Sequence, residues 1–277
     1  MYDGVSLSDG LQRATGECVV AVKRRDDASV LHRLRQAGCL KARFPRGLTP
    51  GWLDATTVNT SGGVAGGDRL ETLIEVGPGA RATVSAQAAE RFYRAVPGGA
   101  PARVRTTLRV GTESAAEWLP QETILFDRCA VDRRLTIDVE PDAWFLGVEM
   151  LVFGRAAMGE RVLTASLRDQ IEVRRDGDLL LRDAIWLDGE VDRLLERRAI
   201  AGGACAVATL LHVAPNAEAR LDAVRAVLPD AEAGASAWNG LLIARMLAAD
   251  SAGLRRSVLS VLAVLRGGRP LPRAWLC

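Results

Sequence analysis

Histidine and lysine are scarce in this chain of 277 residues. The only histidines are His32 and His212, and the only lysines are Lys23 and Lys41. No H-x-H, H-E-x-x-H or Cys/His cluster occurs, so the sequence does not encode the cage that holds a zinc or nickel ion firmly. We therefore expect no tightly bound cofactor. His212 lies in an apolar, strand-like run, which favours a structural role. The shortage of lysine leaves few candidates for Schiff-base chemistry.

Cysteine pairs and long hydrophobic runs are also absent. The five cysteines are scattered and form no C-x-x-C motif, which argues against a disulfide framework and favours a reducing compartment: Cys18, Cys39, Cys129, Cys205 and Cys277. The longest apolar run, near 258–265, is far too short to span a membrane. The first residues lack a secretory pattern, and the formal charge is only +2. We expect a cytoplasmic protein that binds neither nucleic acid nor membrane.

A glycine-rich stretch at 59–70 is the most distinctive part of the sequence. Its glycines are Gly62, Gly63, Gly66 and Gly67. The first and last have Walker A separation, but Asp68-Arg69 replaces the Lys-Ser/Thr pair that binds phosphate. The composition itself indicates a turn with positive φ and close strand approach. The Ser236 region lacks the final glycine of a nucleophile elbow, and we find no triad.

The order of residue patterns predicts one mainly β domain over 1–277. Residues 1–15 are expected to be disordered, 15–215 to be mainly β, and 216–277 to form a helix-containing tail. Polar and apolar residues alternate with period two in segments such as 103–110, which is typical of strands.

A weak repeat runs through the β region. Three times a strand ends in Val and is followed by a short turn and a second strand. The turns at Gly77, Gly111 and Pro141 lie 34 and 30 residues apart. This period predicts stacked strands of the β-solenoid or β-helix type. A β-sandwich with regular hairpins would give a similar pattern, so the repeat leaves both open.

Local signals predict further elements. Residues 170–187 read as a hairpin around Asp176-Gly177, because this dipeptide supplies the positive φ of a tight turn. Residues 218–228, 238–249 and 251–265 carry apolar residues at helical spacing. The last has Asp250 or Ser251 as a plausible N-cap and Gly267-Gly268 as a stop.

Five motifs in order resemble the UreD (UreH) family of urease accessory proteins. They span roughly residues 40 to 275. The motifs are Gly-Gly-x-x-Gly-Gly-Asp at 62–68, Gln-Ala-Ala-x-x-x-Tyr-Arg at 87–94, Glu-Trp-Leu-Pro-Gln at 117–121, the segment 149–155 followed by Gly159-Glu160, and Pro-Arg-Ala-Trp at 272–275. The segment 126–129 departs from the smaller, Gly-containing version usual in the family.

The resemblance implies a maturation factor and not an enzyme. Such proteins are β-solenoid-like scaffolds with a small helical part. They join the helical protein UreF and the GTPase UreG in a complex that docks on apo-urease, where nickel is inserted with GTP hydrolysis by UreG. The resemblance also implies that this chain forms part of the nickel route. Self-association is left open.

Three acids are candidates for lining a nickel route: Asp68, Glu149 and Asp183. Asp68 ends the glycine motif, Glu149 interrupts an apolar run, and Asp183 lies where family members commonly carry an acid. Carboxylates admit and release a cation more readily than a thiolate or imidazole cage does. The alternative for each acid is that it caps a turn, pairs with one of the many arginines, or faces water.

The sequence also suggests candidate interface residues and two alternative classes of function. Tyr93 and Arg94 are of the types favoured at interface hot spots. The motif residues Trp118, Pro120 and Gln121 are expected to matter because they match the family. The alternatives are a generic β-rich binding module and a small-molecule hydrolase, although the sequence offers no recognisable base or nucleophile.

Overall fold

The structure is a computed structural model that describes residues 12–155, 158–229 and 232–276. The predicted disorder of 1–15 falls mainly on 1–11, which lie outside the described residues. The strands are β1 Thr15–Arg25, β2 Ala28–Gly38, β3 Leu40–Arg43, β4 Leu53–Asn59, β5 Arg69–Val76, β6 Arg81–Ala86, β7 Glu90–Phe92, β8 Ala102–Val110, β9 Ala115–Leu119, β10 Thr123–Leu125, β11 Ala130–Val139, β12 Trp144–Phe153, β13 Ala165–Arg175, β14 Asp178–Gly189, β15 Ala206–Val213, β16 Ala233–Trp238 and β17 Leu241–Ala248. The helices are α1 Val191–Glu196, α2 Leu221–Arg225 and α3 Ser251–Arg266, with 3₁₀ turns at Ala217–Arg220 and Arg273–Trp275.

The described strands form two sheets. The seven-stranded sheet has the order β14-β13-β11-β8-β5-β1-β2, and the ten-stranded sheet runs β16-β17-β15-β12-β9-β6-β4-β3, with β10 paired to β12 and β7 paired to β10. The centre of each sheet is parallel, whereas the flanking pairs such as β13–β14 and β12–β15 are antiparallel. The prediction of a mainly β protein is therefore confirmed.

The repeat corresponds to corners between the two sheets. Gly77, Gly111 and the turn at Glu140 each follow a strand of the seven-stranded sheet and lead into the ten-stranded sheet. Successive corners stack, because the Gly111 N–H donates to Val76 O and the Glu140 N–H donates to Val110 O. The β-solenoid is nevertheless not confirmed, since antiparallel strands on both sheets make them mixed.

Two hydrophobic cores explain why the ten-stranded sheet is so apolar. One core lies between the sheets and includes Ile74 and Phe145, and the other lies between the ten-stranded sheet and α3 and includes Leu210 and Val258. Every residue of β15 is buried. A strand covered on both faces reads as a continuous hydrophobic run, which accounts for this sequence.

The tail differs in part from its prediction. α3 forms as expected, with the Asp250 side chain accepting from the Gly253 N–H and Gly267 ending the helix in the left-handed conformation. The predicted Asp176-Gly177 hairpin also forms, with φ values of 54° and 79°. The predicted helix 238–249 is wrong, because Asn239-Gly240 forms a second tight hairpin, with φ values of 48° and 78°, between β16 and β17.

The helices are short or amphipathic. Among the described residues, none combines the length and the apolar character that a bilayer crossing requires.

Candidate functional site: an acidic row between the sheets

Glu149 lies inside the molecule, on the face of β12 that meets the seven-stranded sheet. Its carboxylate accepts a hydrogen bond of 2.7 Å from Nε1 of Trp118 and another of 2.7 Å from Arg133. Burial raises the pKa of Glu149 above its ordinary value, although the charge of Arg133 opposes the increase. Glu149 is thus paired with an arginine, which is the alternative to a nickel-lining role that the sequence leaves open.

Arg133 links the two sheets through Glu149 and also holds a second acid on its own sheet. Its guanidinium donates two hydrogen bonds to Asp169 of β13, of 2.8 and 2.6 Å, and a weaker one of 3.1 Å to the hydroxyl of Thr123. Burial alone would lower the pKa of Arg133, but the charges of Asp169 and Glu149 outweigh it and raise that pKa. The guanidinium is thus a fixed positive charge between two carboxylates.

Asp183 lies near the open side of the layer between the sheets. This residue of β14 forms an ion pair with Arg245 of β17, so the pair joins the edge of one sheet to the other sheet. The side chains are 21% and 38% exposed, against 11% for Arg133. Arg245 is therefore the more accessible of the two guanidinium groups.

Three neighbouring cavities connect these groups. A cavity of about 240 Å³ is lined by Glu90, Trp118 and Arg133, and it reaches Glu149. Glu149 also lines a second cavity of about 10 Å³, together with Asp169 and Asp183. That volume is close to the minimum for one water molecule.

A larger, more open cavity adjoins this acidic centre. It measures about 490 Å³, shares Ile185 and Val207 with the small cavity, and has Arg245 in its lining. Because each cavity shares lining residues with the next, the three form a row between the sheets. We call this set of cavities the acidic row.

Asp68 does not belong to the acidic row. Its two oxygens accept hydrogen bonds of 2.8 Å from the backbone N–H groups of Ala14 and Ala65. The side chain thus fastens the entry of β1 to the glycine loop, as the turn-capping alternative predicts. Of the three candidate acids, the structure brings together Glu149 and Asp183 only.

The glycine loop has a structural explanation. Gly62 and Gly67 have φ values of 78° and 90°. A Cβ on Gly63 would lie 2.3 Å from the ring of Tyr93, and one on Gly66 would lie 2.7 Å from Ala95. The Tyr93 hydroxyl donates to Gly62 O at 3.0 Å. The close approach of strand and loop that the glycines predict is therefore present.

The remaining motif residues hold the end of the chain. Gln121 donates to Ala274 O at 2.7 Å and accepts from Arg255 at 2.8 Å, while Nε1 of Trp275 donates to Leu119 O at 2.9 Å. Two sequence motifs that are far apart, at 117–121 and 272–275, thus meet in one contact. Pro120 lines the 240 Å³ cavity, and Arg94 is exposed beside Tyr93.

Sequence reasoning missed Arg133, Asp169 and Arg245, as well as a second buried ionic group around Glu117. A signal for the first two exists. Arg133 and Asp169 occupy inward positions in strands whose other inward residues are apolar, such as Leu135 and Ile171. A charge in the apolar phase of a strand indicates a buried pair across the layer.

The acidic row has little capacity to hold a metal firmly. Within the part of the chain that the structure describes, no three or more His, Cys, Asp or Glu residues form a group that could hold a metal ion. His212 is buried, and its Nδ1 lies 3.0 Å from Phe145 O, as expected for a structural histidine. A carboxylate that is already paired with a guanidinium group can bind a cation only if that ion pair opens.

The chain is similar to known proteins over nearly its whole length. The family model described as UreD urease accessory protein matches residues 14–276. The urease accessory protein UreD of Rhizobium leguminosarum bv. trifolii is 44% identical over 264 residues, covering 95% of this chain and 96% of the relative. That of Xanthobacter autotrophicus is 47% identical over 270 residues, covering 97% and 90%. That of Azorhizobium caulinodans is 44% identical over 266 residues, covering 95% and 97%.

These matches place the chain in the class of urease accessory proteins. It belongs to the UreD family. Membership implies a role in urease maturation, and the family is one of accessory factors. The resemblance found in the motifs is thereby confirmed.

Proposed function

We propose that this chain is a non-catalytic scaffold that joins UreF and the GTPase UreG on apo-urease in the cytoplasm and assists the GTP-dependent insertion of nickel. The observation that carries the proposal is the match to the UreD family over nearly the whole chain. The absent P-loop lysine in the glycine motif agrees with a division of labour in which another protein hydrolyses GTP.

Nickel is the cargo in this proposal, and the acidic row is its route. Glu149, Asp169 and Asp183 supply oxygen ligands, whereas Arg133 and Arg245 neutralise most of their charge. A route must attract an ion and still release it. Carboxylates are weaker ligands for nickel than thiolate or imidazole, and guanidinium partners weaken them further by competing for the same oxygens.

Asp68 is not part of this route in our proposal. Both of its carboxylate oxygens already accept backbone N–H groups. Removing those acceptors would leave two N–H groups without partners, so nickel binding there would compete with the loop structure.

The proposal is tested by co-expression of this chain with its cognate UreF, UreG and urease subunits. Affinity capture of urease and urease activity are measured with the chain present and with it omitted. We expect omission to abolish both the assembled complex and nickel-dependent activity. Full activation in its absence, together with no binding to UreF, would contradict the proposed function.

A further inference from the structure

The outer face of the seven-stranded sheet carries a row of five residues, three of them arginines, that runs across five strands. In register, Arg69 of β5 lies beside Arg103 of β8, then come Asp132 of β11 and Arg168 of β13, and Trp186 of β14 ends the row. At about 4.8 Å per strand, the row is about 19 Å long.

The charges in and beside this row are not balanced. In the next register row, Arg105 lies directly beside Arg134. Asp132 lies within the group and accepts a hydrogen bond of 2.8 Å from Arg105, and Glu71 of β5 lies opposite Arg105, so the arginines still outnumber the acids. We call Arg69, Arg103, Arg105, Arg134 and Arg168 the arginine patch. Within the described residues, the side chains of Arg69 and Arg103 are exposed and form no ion pair.

The same face is differently arranged away from the patch. There the arginines have carboxylate partners at 2.6 to 2.8 Å: Arg33 with Glu75, Arg35 with Glu17, and Arg182 with Glu172. Like charges directly opposite each other on neighbouring strands destabilise a sheet. Arg69 lies between Thr15 and Arg103 in register, so no acid directly beside Arg69 offsets the repulsion between these two arginines, and stability does not explain the pair.

Trp186 adds an apolar anchor to the end of the patch. It is 70% exposed, which is unusual for so large a side chain. The guanidinium of Arg168 lies 4.9 Å from its ring centroid, within the range of a cation–π contact. Tryptophan and arginine are both among the residue types enriched at the hot spots of protein interfaces.

We propose that the arginine patch and Trp186 form a docking surface for an acidic protein partner, one that presents several carboxylates beside an apolar side chain. Charge complementarity carries the choice of occupant. A nucleic acid fits less well, because Glu71 lies opposite Arg105 and Glu17 lies beside Glu71 on the same face. A phosphate backbone that continued past the row would meet these carboxylates.

The test measures the affinity of purified chain for two probes, cognate apo-urease and cognate UreF, at low and high salt. This choice of probes rests on the proposed function. In Arg69→Glu/Arg103→Glu, we expect the affinity for the probe that occupies the patch to fall at least about tenfold and its salt dependence to weaken. Trp186→Ala should weaken the same interaction. The matched control is Arg81→Glu/Arg256→Glu, which changes net charge equally at exposed positions elsewhere.

A second measurement separates docking from folding. Arg69→Glu alone places opposite charges in register, so we expect an unchanged or higher melting temperature together with weaker binding. Unaltered binding in the double variant, while the wild type binds a probe, overturns the proposed surface alone. An equal loss in the control also overturns it. Binding of a DNA duplex that the patch variant abolishes would assign the surface to nucleic acid instead. Failure of the wild type to bind either probe contradicts the proposed function itself.

Discussion

At the scale of single residues, Gly63 shows how closely the glycine loop approaches its neighbour. Its φ is 149°, and a Cβ there would lie 2.3 Å from the Tyr93 ring. We expect Gly63→Ala to lower the free energy of unfolding by about 1–3 kcal/mol, because the backbone is strained and the ring must move. Urea denaturation measures the change.

Gly234→Ala is the control for this prediction. Gly234 is exposed, and nothing lies within 4 Å of its Cβ position. That variant should be close to neutral. If the two variants had equal stability, the packing of Tyr93 on the loop would not be the reason for the glycine.

His212 predicts a dependence of stability on pH. Burial lowers the pKa of this imidazole in the folded chain, whereas the unfolded chain keeps the ordinary value of about 6.5. Below pH 6.5 the unfolded state therefore takes up a proton that the folded state does not. The free energy of unfolding should fall there, by at most about 1.4 kcal/mol per pH unit.

The variant His212→Gln removes this proton uptake. We expect its stability to change less than that of the wild type between pH 7.5 and 5.5, as followed by urea denaturation. His32 is exposed, and His32→Gln is the matched control. If both variants flattened the profile equally, burial of His212 would not be the cause.

At the scale of elements, Glu117 fastens α3 to the ten-stranded sheet. This fully buried carboxylate accepts two hydrogen bonds of 2.9 Å from Arg266, the last residue of α3, and one of 2.7 Å from Thr83. Burial alone would raise the pKa of Glu117, but Arg266 and Arg269 outweigh it and lower that pKa. The stability from this group is complete above the ordinary pKa of about 4.5 and is lost as pH falls through the folded value.

Glu117→Gln should therefore be strongly destabilising. Loss of the carboxylate leaves Arg266 buried without compensation, which costs about 3–5 kcal/mol. Hydrogen exchange should show the largest loss of protection in α3. Glu75→Gln, which disrupts an exposed pair with Arg33, is the control and should have a small effect. Equal effects would mean that burial adds nothing to the Glu117 interaction.

The elements also show how far the sequence determines the fold. The alternation of polar and apolar residues and the Asp176-Gly177 turn suffice to predict the two strands of the β13–β14 hairpin. In the segment 238–249 the apolar spacing alone favours a helix, although the Asn239-Gly240 turn is an equally strong hairpin signal. β17 is packed on both faces, so its apolar residues do not alternate, and the spacing was misleading.

At the scale of the whole molecule, the sequence does not show which strands and which charged residues become neighbours. The corners at Gly77 and Gly111 were visible in the sequence, but mixed sheets depend on which strands become neighbours. Glu149 was identified because it interrupts an apolar run. Its partner Arg133 is 16 residues away and on the other sheet. One sequence contains no direct sign of which arginine crosses the layer.

The proposed nickel route through the acidic row gives a prediction at this scale, and Asp68 supplies its control. Glu149→Gln and Asp183→Asn keep side-chain volume but remove charge from the small cavity. If nickel passes there, each should slow nickel-dependent activation of urease roughly tenfold, equivalent to about 1.4 kcal/mol in the barrier. Asp68→Asn removes the same charge outside the row, so it should leave the rate per assembled complex unchanged. Activation kinetics and the nickel content of the captured complex measure both effects. Normal rates in the first two variants, with complexes fully assembled, would exclude this row as the route. Slowing by Asp68→Asn alone would place the route at the glycine loop, where two backbone N–H groups now occupy the only carboxylate oxygens that Asp68 has to offer.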